Sequence, residues 1–334
     1  MSQSAGGQSA VSRLAVRSSG WLRGILAADS RAILLAFLLL VGAFFLPAVP
    51  LKHDTYESIV IFDITQSMDV EDYELGGAPS SRLAFAREAA RRALRELPCG
   101  SRVGWGAFAG YRTLLLLAPV EVCENYGDLL SSLAKVDGSM RWENASEITK
   151  GVYWSMRAAK QLGSSPNVIF VTDAQEAPPL DPTNILPMFE DLKPGQVHGW
   201  LIGAGGYAPM PIPKTDDDGN RAGYWRADEV LQPGDLIPGS KSRGAEHLSA
   251  LHEPHLQEIA HQVGFDYARL SSTESIARAL LDRRFARRGQ APTDIYWIPA
   301  LMALLLLARR FAPSLLAKSN AERTPMTSVD EDRR

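Results

Sequence analysis

The run Ile59-Val60-Ile61-Phe62-Asp63-Ile64-Thr65-Gln66-Ser67-Met68 constrains this chain more than any other. An apolar, largely β-branched stretch reads as a buried strand. It ends in a carboxylate, and two hydroxyls, Thr65 and Ser67, follow at alternate positions. Asp-x-Thr-x-Ser directly after a buried strand sets one carboxylate and two hydroxyl oxygens on one side of a tight loop. A donor set made of oxygen alone suits a hard cation such as Mg²⁺. The competing reading is a strand followed by an ordinary polar turn.

The rest of the chain supplies the context. A helix is expected over Arg82–Leu97, capped by Ser80 or Ser81 and stopped by Pro98-Cys99-Gly100. Strands Arg102–Ala109 and Arg112–Val120 form a hairpin, and a helix covers Asn125–Val136. A loop over Asp137–Ser146 leads into a helix over Glu147–Leu162. The continuous apolar strand Asn167–Thr172 then ends at a second carboxylate, Asp173. A short helix near Asn184–Leu192 precedes the strand Val197–Ile202. Residues Gly203–Gly244 are rich in proline and glycine, with a hairpin expected around Asp216–Trp225. Helix Pro254–Val263, strand Phe265–Leu270 and helix Thr273–Arg287 close the domain. Strands alternating with helices imply an α/β fold: a doubly wound, mostly parallel sheet with one antiparallel edge strand. In such sheets ligands sit at the carboxyl ends of strands where strand order reverses, and Asp63 and Asp173 both fall there.

With these residues in place, the sequence resembles a von Willebrand factor type A (VWA) domain carrying a metal-ion-dependent adhesion site. The family's Asp-x-Ser-x-Ser loop is matched by Asp63, Thr65 and Ser67. Its Gly-Gly-Thr-x-Ile-Gly-x-Gly-Leu loop aligns with Asn144–Val152, so the family threonine falls on Ser146 and the first two glycines are lost. Its Thr-Asp-Gly loop appears as Thr172-Asp173-Ala174. The resemblance covers residues 57–289 and implies a bound Mg²⁺ (or Mn²⁺ or Ca²⁺) held by Asp63, Thr65, Ser67, Ser146 and Asp173. It further implies a coordination position filled by an Asp or Glu of a partner protein, a binding device rather than an enzyme. Placed between apolar segments, such a domain is similar to the Bat-type proteins associated with MoxR-type AAA+ ATPases, among them MxaC and MxaL of methanol-oxidation clusters. The passage Leu256–Phe265 is similar to theirs. That resemblance implies an accessory role in assembly or maturation of a periplasmic enzyme, such as a methanol or other quinoprotein dehydrogenase, with a MoxR-type ATPase and other VWA proteins as partners. The alternative it implies is a structural subunit of a Bat-like envelope stress-tolerance complex.

The ends of the 334-residue chain bear on where it works. Residues 32–50 are almost wholly apolar and close to the ~20 that span a bilayer, and Arg13, Arg17, Arg23 and Arg31 precede or border them. An uncleaved anchor is expected rather than a signal peptide. A second span is expected over 293–311, the alternative being an amphipathic or buried C-terminal helix. Both tails, 1–31 and 312–334, would then be cytoplasmic and the domain periplasmic at a bacterial inner membrane. Arg278, Arg283, Arg284, Arg287 and Arg288 argue the other way on charge alone. The only cysteines, Cys99 and Cys123, lie in no Cys-x-x-Cys motif; in an oxidising compartment they can form one disulfide, and the alternative is two buried thiols. In a VWA-like fold both would lie away from the metal.

A net charge of −3 with no basic stripe gives no support for nucleic-acid binding. His247, His252, His255 and His261 do not share one helical face, so a surface or capping role is expected rather than a metal site. Asp216-Asp217-Asp218-Gly219-Asn220 lacks the glutamate of a calcium loop and reads as a hairpin turn. Gly104 and Gly106 within a strand indicate close packing. Among the tryptophans, Trp142 is singled out because it lies on the second metal loop.

Overall fold

Alternation within the opening strand sets the architecture. In the computed structural model, which describes residues 28–47, 49–179, 191–216, 220–236 and 244–321, strand β2 (Glu57–Asp63) is central to a six-stranded sheet. Val60 and Phe62 enter one core, while Ile59 and Ile61 enter a second core on the opposite face. A period of two with both faces buried is why the run contains no polar residue before Asp63.

The sheet has the order β13-β8-β7-β2-β5-β6, built from β13 (Asp266–Arg269), β8 (Gly199–Gly203), β7 (Asn167–Thr172), β5 (Arg102–Ala109) and β6 (Arg112–Glu121). Every pairing is parallel except β5 with β6. The fold is therefore the mixed α/β with a mostly parallel sheet that the strand–helix alternation implied. Helices α2 (Arg82–Glu96), α3 (Tyr126–Ala134) and α6 (Ser275–Leu280) cover one face, and α4 (Ile148–Gln161) and α5 (Glu253–Val263) the other. Ala86, Ala89, Ala90 and Ala93 of α2 are fully buried, which brings that helix close to the sheet. Within β5 the glycines are explained by contact: a Cβ at Gly104 would lie 2.4 Å from the Leu117 carbonyl oxygen, and one at Gly106 would lie 2.5 Å from Ile61 Cδ1.

Strand order reverses at β2. The chain first steps to β5 on one side and returns through α4 to β7 on the other. The carboxyl ends of β2 and β7 thus flank the switch point, and the pairing of Phe62 with Val171 sets Asp63 beside Thr172. Cys99 and Cys123 are joined as a disulfide. Cys99 lies just before the start of β5, the opposite end of the sheet from the switch point.

Two expectations at the ends need correction. The apolar stretch 32–50 is not one spanning helix: helix α1 covers Ala28–Ala43 and strand β1 begins at Val49, running to Thr55. At 1.5 Å per residue, the 16 residues of α1 reach about 24 Å, short of the ~30 Å hydrocarbon core. No helix among the described residues is long and apolar enough to cross a membrane; helix α7 (Trp297–Ala321) carries Arg309 and Arg310 within it. The expected closing helix over 273–287 is instead the short α6, a 3-10 turn, and strand β14 (Arg287–Thr293), which pairs with β1. Thr55 Oγ1 donates to the Arg287 carbonyl at 3.0 Å, tying the first strand of the domain to its last.

The chain divides into two compact units, Lys52–Ala291 and Met1–Leu51 with Pro292–Arg334. In the second unit α1 packs against α7, with Ala36 and Ala303 buried, while Phe37, Leu38, Leu304 and Leu305 are exposed. The expected helix near 184–192 falls on residues 180–190, outside the described residues but for its last two positions, as do the arginines at 13, 17 and 23 and the C-terminal tail beyond 321.

Candidate metal centre

The site is built from three loops at the carboxyl ends of β2 and β7, each fixed by hydrogen bonds of its own. Asp63, the last residue of β2, is fully buried. Its Oδ1 accepts from Thr65 N at 2.9 Å and Thr65 Oγ1 at 2.6 Å. Its Oδ2 accepts from Thr172 Oγ1 at 2.6 Å. Burial, and after it the charge of Asp173, pushes the Asp63 carboxyl up to about 7 against these hydrogen bonds. After Thr65 the chain turns through a 3-10 segment, Gln66–Asp69, which aims Ser67 inward. Ser67 Oγ lies 3.3 Å from Thr65 Oγ1 and donates to Asp173 Oδ1 at 3.1 Å.

The second loop is held by backbone pairing. Ser146 N donates to Ala177 O at 2.7 Å, Ala177 N returns a bond to Ser146 O at 2.9 Å, and Gly110 bridges the other side. This pairing fixes the loop where Asn144 and Ala145 stand in place of the resembled family's paired glycines, and Thr149 replaces a third. The glycine that is retained, Gly151, is required: a Cβ would lie 2.2 Å from the Phe108 ring. Ser146 Oγ is buried and has no hydrogen-bond partner among the described residues. A buried hydroxyl without a partner costs about 1–3 kcal/mol, so it calls for an explanation.

The third loop bends sharply at Ala174, whose φ of 60° is left-handed, a conformation in which glycine is usual. Asp173 is fully buried and accepts from Gln175 N at 3.0 Å through Oδ1. Its Oδ2 accepts from Ser249 Oγ at 2.8 Å and from Arg82 Nη1 at 2.6 Å.

Arg82 was not among the residues expected here. It is the first residue of α2 after the cap Ser81, and its side chain is fully buried. Besides Asp173, the guanidinium pairs with Asp72 at 2.8 Å and bonds Ser249 Oγ at 2.7 Å. Burial alone would favour loss of its proton, but Asp173 and Asp72 outweigh this and hold it charged. A faint signal was present in the sequence: a cation at a helix N-terminus opposes the helix dipole and needs a compensating carboxylate.

Thr65, Ser67 and Ser146 line a cavity of about 310 Å³. The proline-rich segment after β8 roofs it. Its hairpin, β10 (Pro213–Thr215) with β11 (Arg221–Tyr224), is the one expected around Asp216–Trp225. Trp225 Nε1 donates to Gln66 Oε1, and Gln66 Nε2 reaches Thr215 Oγ1 at 3.2 Å and Asn144 Oδ1 at 3.3 Å. One amide thus ties the first loop, the second loop and the hairpin together. Trp225, not Trp142, is the tryptophan that lines the cavity. Glu176 was also missed. It lines the cavity, accepts from Ile148 N at the start of α4 at 3.3 Å, and pairs with His255 at 2.8 Å. Of the four histidines considered, His255 pairs with a lining residue, Glu176.

The donors fit a hard divalent cation. All are oxygens, and each of Thr65 and Ser67 gives its proton to a carboxylate behind it, leaving lone pairs toward the cavity. Ser146 adds an oxygen committed to nothing else. The one described cluster of three or more His, Cys, Asp or Glu side chains, Cys99, Glu121 and Cys123, is no competitor, because both thiols are in the disulfide.

No protein-family model matches the sequence, and no curated protein matches it. Solved structures similar to the chain include an aerotolerance-related membrane protein from Bacteroides fragilis, 17% identical over 67% of this chain and 96% of that one, with a TM-score of 0.45. They also include the conserved hypothetical protein BatB from Bacteroides thetaiotaomicron, 20% identical over 67% and 94%, with a TM-score of 0.42. A von Willebrand factor type A protein from Catenulispora acidiphila is 12% identical over 74% of this chain and 42% of that one, with a TM-score of 0.36.

Proposed function

We propose that this chain is a membrane-associated VWA-type adaptor that binds a divalent cation, Mg²⁺ or Mn²⁺, and uses it to grip a carboxylate of a partner protein. The observation that carries the reading is the convergence of three hydroxyls, one of them buried and unpartnered, in front of two buried carboxylates from neighbouring strand ends. Asp63 and Asp173 act from behind. Accepting the hydroxyl protons, they raise the electron density on Thr65 and Ser67 Oγ and hold both side chains in one rotamer. Seen from the cavity, those ligands are neutral, and a bound cation supplies the positive charge that draws in an anion. Ser146 sits on a separately braced loop and completes the hydroxyl face.

A binding role fits this arrangement better than catalysis. His255 is committed to Glu176, and Glu176 to the first amide of α4. The exposed apolar side chains of α1 and α7 support a membrane-facing helix pair; the periplasmic side for the domain is inferred from the arginines that flank the apolar ends of the sequence. The setting is either maturation of a periplasmic quinoprotein dehydrogenase with a MoxR-type ATPase, or a Bat-like envelope complex.

The test is Mn²⁺ binding by electron paramagnetic resonance on the full chain. Wild type should bind one ion, and Asp63→Ala and Ser146→Ala should weaken binding by at least about tenfold; equal binding by all three overturns the site. Pull-down from membranes with wild type and Asp173→Ala in Mg²⁺ then identifies the client: a dehydrogenase subunit or another VWA protein, captured only by wild type.

A further inference from the structure

The cavity walls carry information about the ligand that the hydroxyl face does not. Pro178, Ile212, Trp225 and Leu231 make them largely apolar. The ionisable groups that line it are all acidic, Glu176, Glu229 and Glu246, with no Lys, Arg or His among the described lining residues. Each carboxylate is anchored from behind, Glu229 by Lys214 at 2.7 Å, Glu176 by His255 at 2.8 Å and Glu246 by the Gln175 amide at 2.8 Å. Their oxygens therefore stay beside the cavity. Ser146 Oγ, buried and unpartnered, lies in the same lining.

We infer that this cavity accepts a single carboxylate on a short apolar body and discriminates against phosphate and dicarboxylates. The inference rests on the reading that Thr65, Ser67 and Ser146 hold a divalent cation. One carboxylate can be neutralised against that cation. A second negative charge would stand among apolar groups and beside three glutamates, and the basic groups nearest those glutamates, Lys214 and His255, are already committed to them. Without the cation, an anion meets carboxylates and basic groups already paired with them, so binding is metal-dependent. The body of the ligand rests on Ile212, Trp225 and Leu231. At about 310 Å³ the space lies at the small end of ligand cavities, enough for a few carbons. A free aliphatic acid offers this chemistry, and so does an acidic side chain set among apolar residues of a partner.

The experiment uses the full chain loaded with Mn²⁺, with water-proton relaxivity reporting replacement of metal-bound water. The probes are acetate, propionate, butyrate, succinate and inorganic phosphate, together with the blocked peptide acetyl-Ala-Leu-Glu-Leu-Ala-amide. The expected result is affinity rising about fourfold per added methylene from acetate to butyrate, with succinate and phosphate at least tenfold weaker than butyrate. Leu231→Ala, at an apolar wall residue with no bond to the metal loops, should keep Mn²⁺ binding and flatten the chain-length series. A flat series in wild type, or succinate or phosphate binding as tightly as butyrate, overturns the inference while leaving the metal site intact. Failure of Mn²⁺ itself to bind removes the metal site, and the inference with it. If the peptide binds more tightly than butyrate, the source is a partner chain; if butyrate is tighter, it is a free acid. If neither binds, the inference is wrong.

Discussion

Arg82 gives the sharpest prediction, because its buried charge has no role in an ordinary helix start. Its side chain is fully buried, and it spans Asp173 at 2.6 Å and Asp72 at 2.8 Å. Replacing it with methionine keeps much of the volume and strands Asp173, which is itself fully buried. Removing one partner of a buried pair costs about 3–5 kcal/mol. For a unit of this size, each kcal/mol moves Tm by about 2–4 °C, so about 4 kcal/mol lowers Tm by about 8–16 °C. Divalent cation should recover part of this. A ligand at a hundredfold its Kd stabilises by about 2.7 kcal/mol. In the variant the ion also takes over neutralising Asp173, so its affinity should rise by about tenfold, worth about 1.4 kcal/mol more. The assay is circular-dichroism melting of wild type, Arg82→Met and Arg82→Lys in EDTA and in saturating Mn²⁺. Lysine should fall between the other two, since a single ammonium cannot serve two carboxylates in the manner of a guanidinium. The reasoning fails if Arg82→Met melts within about 3 °C of wild type in EDTA, or if Mn²⁺ raises its Tm no more than it raises that of wild type.

Four further outcomes are expected. Ser146→Ala removes a buried hydroxyl that has no partner, so urea unfolding in EDTA should show no loss of stability, whereas Thr172→Val, which breaks the 2.6 Å bond to Asp63, should lose about 1–3 kcal/mol. Ala174→Gly should change stability by less than about 0.5 kcal/mol, because relief of the left-handed strain offsets the lost methyl and the freer unfolded chain; Ala90→Gly, on the buried face of α2, has no such relief and should cost at least about 1 kcal/mol. Cys99→Ser with Cys123→Ser opens a link across a sequence separation of 24 and should cost about 3 kcal/mol by loop entropy, with Mn²⁺ affinity unchanged because the bridge lies away from the site. Glu88, held by Arg91 and Arg92, has its carboxyl lowered from 4.5 to about 2; a carboxyl lower in the folded state stabilises above its unfolded value and loses that effect as pH falls through about 2. Glu88→Gln should therefore cost no more than about 1 kcal/mol at pH 7, given the exposure of the pair, and nothing near pH 2 by urea titration.

Much of this fold was legible because its strands announce themselves. Runs such as Ile59–Phe62 and Val168–Val171 contain no polar residue, and only a strand buried on both faces has a use for that pattern. The carboxylates that end them, Asp63 and Asp173, could be placed together because a parallel sheet brings strand ends to one edge. Arg82 stayed hidden because its partners, Asp72, Asp173 and Ser249, lie 10, 91 and 167 positions away and share no spacing. Trp225 and Glu176 were missed for the same reason, since a roofing loop without periodicity gives no register from which to read its contacts. At the chain ends hydropathy misled. Residues 32–50 are apolar throughout, but the helix stops at Ala43 before Pro47 and Pro50, and the chain turns at Phe44 and Phe45 and gives way to strand β1 from Val49.

The site is built in two layers, and that construction bears on what it can do. Hydroxyls face the cavity; carboxylates and one guanidinium stand behind them, and hydrogen bonds join the layers. Each loop is braced by hydrogen bonds of its own, a preorganisation that lessens the ordering an ion would have to drive. The same layering keeps full negative charge off the cavity face. Carboxylates in direct contact on that face would neutralise a divalent ion and end its pull on other anions. Neutral hydroxyls leave that pull intact, while the glutamates along the walls oppose any anion that arrives without it. In the proposed reading the cation binds first and the carboxylate follows only where the cation is present, which is the behaviour required of a reversible grip.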